Sequence, residues 1–532
     1  MDGAAAGSAA SSAGTGGRGG RGWWRTAGDW LVMATPVFAH GDQTPGGHTV
    51  ALPAVRELLP ELMDAAARHA DYADARHVRV RSERISIRNA ALDGLDHAEL
   101  DGIGVRVRVG GSWGFAGVRG DGREQAHEAL RRALDVVRRQ PTAPAAPLAS
   151  EQPAGGRWES PVGRDPFEVP LEDKLTVLAA AAEELRSEPA VALARASFRA
   201  WRTDKLFAST DGALCEQRLT ECGGGITAVA SKDGETQVRS FPSSHAGDVA
   251  QAGYEHFLGL GLAAAAPRVA EEAAALLRAP ACPPGRTSLI LAGEQLAMQV
   301  HESVGHAVEL DRVLGREISY AGTSFIEPGA PGSLRLGSEL MNVTADAGTA
   351  GGLGSYRWDD EGVEGQRLPI VREGVLSAFL SSRETAAETG LPRSGGCMRA
   401  ESFDRQPIVR MTNVNLDPGE AGTLEQLVAA TDRGVLIDTN RSWSIDSRRL
   451  QFQFEGEAAW EIADGERRRL LRNPSYAGMT PEFWARCDAV CSPAEWRLVS
   501  LIDCGKGEPG QVARVSHGSA PARFRDVEVG MA

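Results

Sequence analysis

Hydrophobic and polar positions in the first part of the chain change their period several times. Residues 52–70 carry apolar side chains at helical spacing, and residues 75–89 alternate in the manner of a half-buried strand. A second alternating run, 102–117, has a Gly-Gly turn signal in its middle and predicts a hairpin. A helix is predicted over 123–139. The order is helix, strands, helix.

The next part of the chain repeats this mixture. A Pro/Ala-rich stretch, 141–156, indicates a linker or surface loop, and a helix is predicted from Asp173 to Arg186. Strand candidates separated by Asp-Gly and Gly-rich turns follow at 191–203, 205–210, 215–221 and 225–231. A long Ala-rich helix is expected over 248–278, because the prolines that begin at Pro280 cannot continue it.

Beyond residue 286 the chain consists mainly of short alternating runs, with turn signals at Glu373-Gly374 and Asp464-Gly465. These patterns predict an α+β fold, with an N-terminal α/β domain containing antiparallel strands and a mainly antiparallel β domain after it. A chain of 532 residues is too long for one hydrophobic core. We expect a disordered leader over 1–46, a first domain over 47–285 and a second over 286–532.

The Gly/Ala/Ser-rich start leaves two further interpretations open. Residues 30–39 follow several arginines and resemble the apolar core of a secretory signal, although Asp29 and Pro36 interrupt it. Alternatively, the first 32 residues are an extension upstream of a start at Met33. The seven cysteines, an odd and scattered set, favour a reducing, cytoplasmic location.

Charge and hydropathy exclude other classes of function. The net charge of -14 argues against a nucleic-acid partner, because such binding depends on clustered Lys and Arg. No apolar run reaches the roughly 18 residues of a membrane span, so no membrane partner is expected.

The strongest chemical candidate is "HESVGH", which has two histidines five residues apart with a glutamate beside the first. Positions five apart in a regular helix lie about 140° apart, so His301 and His306 could share a metal only through a π-bulge or a distortion at Gly305. Glu302 could then act as general base on a metal-activated water. Catalytic zinc needs a third ligand. From the spacing alone, two interpretations remain open. Either the two histidines form a metal site, or they bind no metal and one lies in the core while the other is exposed.

Several further segments occur in an order that has a known counterpart: "GGSWGFAG", "YAGTSF", "MNVTAD", "DDEGVEGQ", "RSWSIDSRRLQFQFEGE" and "DCGKGEPGQVARVSHG". Together with the "HESVGHAVELDR" stretch they resemble the TldD/PmbA family of zinc metalloproteases, sometimes labelled modulators of DNA gyrase. The resemblance covers the chain from about residue 50 to about residue 525.

The resemblance implies one zinc ion per chain, bound by His301, His306 and Cys504, with Glu302 as general base. The residues themselves gave no reason to prefer Cys504 to Cys487 or Cys491, whose CxxxC spacing is more typical of helix packing.

Three other residues fall on the extended motifs of the family. Glu309 and Asp311 are candidates for orienting the metal ligands, with a solvated helix face as the alternative. His517 is a candidate for orienting a metal ligand, or for contacting the substrate or the oxyanion.

The function that the resemblance implies is a metalloprotease that hydrolyses peptides or unfolded protein segments. It further implies a heterodimer with a sister TldE/PmbA-like subunit that lacks the motif, and a site enclosed between the subunits. The alternative is a non-catalytic partner or regulatory subunit of such a heterodimer. A factor that acts on DNA topology is a third hypothesis, and the acidic charge argues against direct contact with DNA.

Overall fold

The computed structural model describes residues 52–141, 147–245 and 247–531. The expected leader, the signal-like segment and the alternative start at Met33 lie outside these residues. The expected α+β class is confirmed: helices pack on large sheets that are mostly antiparallel. The domain boundaries at 47–285 and 286–532 stay predictions.

The helices of the described residues are short to medium in length. They are α1 (Leu52–Ala66), α2 (Arg123–Arg138), α3 (Leu171–Arg186), α4 (Tyr254–Gly259), α5 (Leu262–Leu276), α6 (Gly293–Val300), α7 (Leu310–Val313), α8 (Arg383–Glu388), α9 (Leu424–Ala429) and α10 (Thr480–Ala485). Among these described residues, no helix is long and apolar enough to cross a membrane.

An eight-stranded sheet dominates the part of the chain before residue 280. Its strands are β1 (Tyr72–Arg88), β2 (Ala91–Val109), β3 (Ser112–Arg119), β4 (Gly155–Glu159), β5 (Val191–Ser209), β6 (Leu214–Lys232), β7 (Glu235–Phe241) and β8 (Asp248–Ala250). The strand order is β3-β2-β1-β5-β6-β4, and β7 and β8 also pair with β6. Helices α1, α2, α3 and α5 cover one face with two apolar clusters. The predicted hairpin around Gly110 is present between β2 and β3.

Two expectations for this part of the chain are wrong. The glycines expected to form a turn lie inside the continuous strand β6, where a side chain on Gly223 would come within 2.0 Å of the Asp248 carbonyl oxygen. The absence of that side chain allows β8 to pair with β6. Residues 248–278, expected to form one long helix, instead form β8, α4 and α5. Gly261, with a φ of 61°, separates the two helices.

The rest of the chain forms a nine-stranded sheet and smaller sheets. The strands are β9 (Gly285–Leu291), β10 (Val343–Asp346), β11 (Arg367–Arg372), β12 (Val375–Leu376), β13 (Met398–Arg399), β14 (Ile408–Val409), β15 (Asn413–Leu416), β16 (Arg433–Ile437), β17 (Asn440–Ile445), β18 (Gln451–Gly456), β19 (Ala458–Ala463), β20 (Glu466–Arg472), β21 (Ser475–Met479), β22 (Cys487–Val490), β23 (Arg497–Lys506), β24 (Gln511–Ser519) and β25 (Ala522–Val529). The large sheet has the order β17-β18-β21-β25-β9-β16-β19-β20, with β22 against β25.

The two turns predicted in this part are present. Glu373-Gly374 joins β11 to β12 and Asp464-Gly465 joins β19 to β20, and all four residues have positive φ as two-residue hairpin turns require.

The prediction that Cys487 and Cys491 pack on a helix is wrong. Helix α10 ends at Ala485, and Cys487 lies in β22 opposite Phe524, because pairing with β25 takes this segment into the sheet.

Candidate metal centre

The predicted helix around His301 changes its winding at the histidine itself. Helix α6 ends at Val300, a π-helical turn spans His301–Gly305, and a 3-10 turn spans His306–Val308. The backbone N–H of His306 donates to the carbonyl of His301, which is the i to i+5 bond of a π-turn. The two imidazole rings consequently lie next to each other, edge to face, with centroids 4.7 Å apart.

Cys504 reaches the same point from strand β23. One donor atom each from His301, His306 and Cys504 lies within 4.8 Å of the others, and the Cys504 Sγ is 3.5 Å from the His306 Nε2. The three residues are only 3 to 5% exposed. A thiolate and two imidazoles are accepted zinc ligands, so these residues could hold a metal ion and leave a position for water.

Hydrogen bonds show which nitrogen of His301 points into the site. The Nδ1 of His517 is 2.7 Å from the Val414 carbonyl oxygen, which can only accept, so this nitrogen carries a proton. Burial, followed by the nearby His301, lowers the pKa of His517 well below its usual value, so its ring is neutral and its Nε2 accepts. The Nε2 of His517 is 2.7 Å from the Nδ1 of His301, which therefore donates. The Nε2 of His301 is therefore the ring nitrogen that a metal could bind. Burial lowers the pKa of this ring, but the charge of Cys504 and its hydrogen bond to the ring outweigh it and raise the pKa above its usual value, so a metal bound at Nε2 would take the place of a proton.

His306 is oriented by a carboxylate in the same way. Its Nδ1 donates to the Oε2 of Glu309 at 2.8 Å, and its Nε2 faces Cys504. Burial lowers the pKa of His306 well below its usual value, although Cys504 opposes this shift. The Nζ of Lys506 lies 3.4 Å from the same carboxylate of Glu309.

Asp311 plays a less direct part. Its Oδ1 accepts from the buried Lys506 ammonium at 2.7 Å, and no contact between Asp311 and either motif histidine is found in the described chain.

A buried arginine makes Cys504 unlike the other cysteines. Burial by itself raises the pKa of the Cys504 thiol, but the guanidinium of Arg410 and then the two histidines hold it well below its usual value. The Nη2 of Arg410 lies 3.0 Å from the Sγ and also donates to the Cys504 carbonyl. Burial raises the pKa of each of the other six cysteines. Among the cysteines of the described residues, Cys504 is thus the one whose surroundings favour the thiolate.

The Glu302 carboxylate also has an arginine partner. Arg449 donates from its Nη1 to the Oε2 of Glu302, and both side chains are largely buried. Arg449 comes from the turn before β18, where its φ is 62°. Neither Arg449 nor Arg410 was identified from the sequence, because nothing in the local pattern distinguishes them from the other arginines of this Arg-rich chain.

The structure brings together most of the predicted site residues. The two histidines of the motif and Cys504 converge, Glu302 directly follows His301 in the π-turn, and Glu309 contacts His306. His517 is fully buried behind His301, so its position matches an orienting role and not contact with a substrate.

Comparison with known proteins identifies the family of the chain. Three family models match in order: PmbA/TldA metallopeptidase domain 1 at residues 73–139, the central domain at 164–279 and the C-terminal domain at 284–531. A metalloprotease of Methanothermobacter thermautotrophicus is 30% identical over 475 residues, which cover 88% of this chain and 97% of the relative. The chain belongs to the PmbA/TldD family of metallopeptidases.

Other members have related names. A metalloprotease of Methanocaldococcus jannaschii is 28% identical over 459 residues, covering 85% of this chain and 96% of its own length. A protein of Saccharolobus solfataricus named zinc metalloprotease TldD homolog is 26% identical over 247 residues, which cover 46% of this chain and 52% of that protein.

Solved structures share the fold. A Thermotoga maritima protein named as a modulator of a DNA gyrase has a TM-score of 0.70 at 18% identity, covering 89% of this chain and 99% of that one. TldE from Thermococcus kodakarensis has a TM-score of 0.65 at 15% identity, covering 89% and 100% of the two chains.

Proposed function

We propose that the protein is a zinc-dependent peptidase that hydrolyses peptides or unfolded protein segments. The observation that carries the proposal is the convergence of one thiolate and two oriented imidazoles beside the carboxylate of Glu302. Zinc bound by His301, His306 and Cys504, one ion per chain, would supply an acidified water and polarise the scissile carbonyl.

Residues of the chain would carry out the proton transfer and hold the reacting groups in position. Glu302 takes a proton from the attacking water and delivers it to the leaving nitrogen of the peptide. Arg449 holds the Glu302 carboxylate in place before substrate binds. His517 and Glu309 hold the two imidazoles in the tautomer that presents Nε2 to the metal.

We further propose that the chain works with a sister TldE/PmbA-like subunit, which the fold shared with a TldE protein supports. The alternative, a non-catalytic partner or regulatory subunit, is disfavoured because the two histidines, the glutamate and the cysteine are all present. The cytoplasmic location stays a prediction based on the cysteines.

The experiment that tests the function starts with metal content. Mass spectrometry of the purified wild type should find about one zinc per chain, and Cys504→Ser should lose most of it. Cys487→Ser, which alters a buried cysteine of β22, should keep the metal and serves as the matched control. No zinc in the wild type after reconstitution would overturn the metal site.

Turnover tests the role of the carboxylate. We expect Glu302→Gln to retain zinc and to lose hydrolysis of unstructured peptides by at least about 100-fold, because the amide cannot accept the proton of the attacking water. Wild-type turnover in the variant would remove Glu302 from the mechanism. Zinc without turnover in either protein, with the sister subunit present, would favour the non-catalytic role.

A further inference from the structure

Arg449 contacts the predicted general base and leaves most of its own hydrogen-bonding capacity unused. Its Nη1 donates to the Oε2 of Glu302. The Nε is buried without a hydrogen-bond partner, and within the described ranges the Nη2 makes no hydrogen bond either. The side chain is 13% exposed, so the guanidinium is not sealed in the core. It therefore has N–H groups to offer to an acceptor on a substrate.

The turn that carries Arg449 is held by several hydrogen bonds. Arg449 has a φ of 62°, which residues other than glycine adopt rarely, so its surroundings must keep it there. Asp446 accepts from the backbone of Leu450 at 2.6 Å and of Gln451 at 3.0 Å. The Thr480 hydroxyl donates to the Arg449 carbonyl at 2.9 Å. A donor on so constrained a turn is aimed before the substrate binds, as electrostatic stabilisation of a transition state requires.

A second segment of the chain packs on the same turn from another side. The Thr323 N–H donates to the Ser447 carbonyl, and the Phe325 N–H donates to the Arg448 carbonyl, each at 2.8 Å. A side chain on Gly322 would come within 2.3 Å of the Ser447 carbonyl oxygen. The turn is thus fixed by close contacts as well as by its internal hydrogen bonds.

Arg449 is also near both histidines of the motif. Its partner Glu302 directly follows His301 in the π-turn. Burial lowers the pKa of the His306 ring, and the charge of Arg449 acts in the same direction, so the guanidinium lies within electrostatic range of the second histidine. His517, which the sequence offered for contact with the oxyanion, is buried behind His301. The oxyanion therefore needs a donor other than His517.

We propose that Arg449 is a catalytic residue that donates an N–H to the oxygen of the scissile carbonyl as negative charge develops there. This inference rests on the proposed peptidase function and adds a contact with the substrate. In the step concerned, the water oxygen bonds to the carbonyl carbon and the π electrons of the C=O bond move onto the oxygen. Glu302 takes the water proton and later delivers it to the leaving nitrogen.

The ion pair with Glu302 suits this role. When Glu302 takes the proton, the carboxylate that holds Arg449 loses its charge, and the substrate oxygen becomes an anion in the same step. The guanidinium can therefore exchange one anionic partner for another without a change in the charge of the arginine itself.

Turnover of an unstructured peptide gives the first test. We expect Arg449→Gln to lower kcat by about 100- to 1,000-fold with little change in KM, because an interaction made only in the transition state is lost. Arg449→Lys keeps the charge and a donor and should recover part of this loss. Arg448→Gln removes the exposed neighbouring arginine and should keep the wild-type rate. All three variants should retain zinc. Wild-type kcat in Arg449→Gln overturns the proposal.

A transition-state analogue separates contact with the oxyanion from an effect through Glu302. A phosphinic peptide carries a tetrahedral anion at the position of the planar carbonyl in the matching amide peptide. In the Glu302→Gln background, where no carboxylate remains to be positioned, adding Arg449→Gln should weaken binding of the phosphinic peptide by about 100-fold. Binding of the amide peptide should weaken by less than about threefold. Arg449→Lys in the same background should lose less phosphinic affinity, and it keeps the test available if the glutamine variant does not fold.

Arg448→Gln is again the matched control, because it removes the same charge from the same turn, and it should change neither affinity. Equal losses for the two peptides, or no loss for the phosphinic peptide, overturn the proposal and confine Arg449 to holding Glu302 in place. Neither measurement requires turnover. A loss specific to the phosphinic peptide supports the contact even if the wild type hydrolyses no peptide. A wild type that hydrolyses peptides but fails this test is a peptidase in which Arg449 does not bind the oxyanion.

Discussion

Single residues in this protein acquire their chemistry from partners that are distant in sequence. The pKa of the Cys504 thiol is low because Arg410, 94 residues away, and the two histidines surround it. His301 presents its Nε2 because His517, 216 residues away, accepts from its other nitrogen. The histidines and Glu302 could be selected from the sequence as chemical groups. Their protonation states could not, because these depend on atoms that only the fold brings within hydrogen-bond distance.

Glu309 provides the prediction at this scale. We expect Glu309→Gln to weaken zinc binding by about 10- to 100-fold, because the neutral amide is a poorer acceptor for the His306 N–H and leaves Lys506 less well neutralised. Competition with a chelator of known affinity measures the change. Asp311→Asn, which alters the other carboxylate at Lys506 without touching His306, is the comparison. Equal losses in the two variants would mean that orientation of the imidazole is not the cause.

At the scale of elements, the decisive feature is the π-turn in the α6 segment. Sequence geometry showed that HExxxH cannot converge on a regular helix, and it offered a π-bulge or a distortion at Gly305 as solutions. The structure contains the π-turn over His301–Gly305. Packing supports it, because a side chain on Gly305 would come within 2.2 Å of the Met411 sulfur. The segment between β14 and β15, which carries Met411, thus limits which residues the turn can contain.

The corresponding prediction concerns Gly305. Alanine favours helix over glycine, yet we expect Gly305→Ala to lower the free energy of unfolding by about 1–3 kcal/mol, because the added methyl group overpacks the site against Met411. Urea unfolding measures the effect. In the double variant with Met411→Ala the clash is removed, so the two changes should be coupled and not additive. Strict additivity would show that the methyl group does not meet Met411.

At the scale of the whole molecule, contacts across the predicted boundary near residue 285 hold the site in place. Glu294, in the first turn of α6, accepts hydrogen bonds from the backbone of Ser244 and from Asn440, at 3.0 Å each. The Nδ1 of His245 lies 2.5 Å from the same carboxylate. The loop after β7, the start of the metal-binding segment and the edge strand β17 therefore meet at one buried carboxylate.

This junction gives the molecule a specific pH dependence. Burial lowers the pKa of His245, but Glu294 outweighs it and raises the pKa to about 9, from an ordinary value of 6.5. A histidine whose pKa is raised on folding contributes stability that is complete below the unfolded value and is lost as the pH rises through the folded value. We expect the free energy of unfolding to fall by about 1–3 kcal/mol between pH 6.5 and pH 9.5 through this group.

Urea unfolding of the wild type and His245→Gln at several pH values isolates the contribution. The variant should be less stable at pH 6.5, and the difference between the two proteins should shrink towards pH 9.5. A difference that stays constant across this range would show that the charge of His245 does not stabilise the junction.

The sequence by itself determined the periods of the helices and strands, the α+β class, several turns and the His/Glu/His motif, because these depend on local spacing and turn chemistry. It misplaced the glycines of β6 and the cysteines near α10, where strand pairing with distant segments overrode the local pattern. Only the tertiary structure decided which cysteine has surroundings that favour a thiolate and which nitrogens of the histidines point into the site. These properties depend on burial and on charges that long-range packing alone brings together.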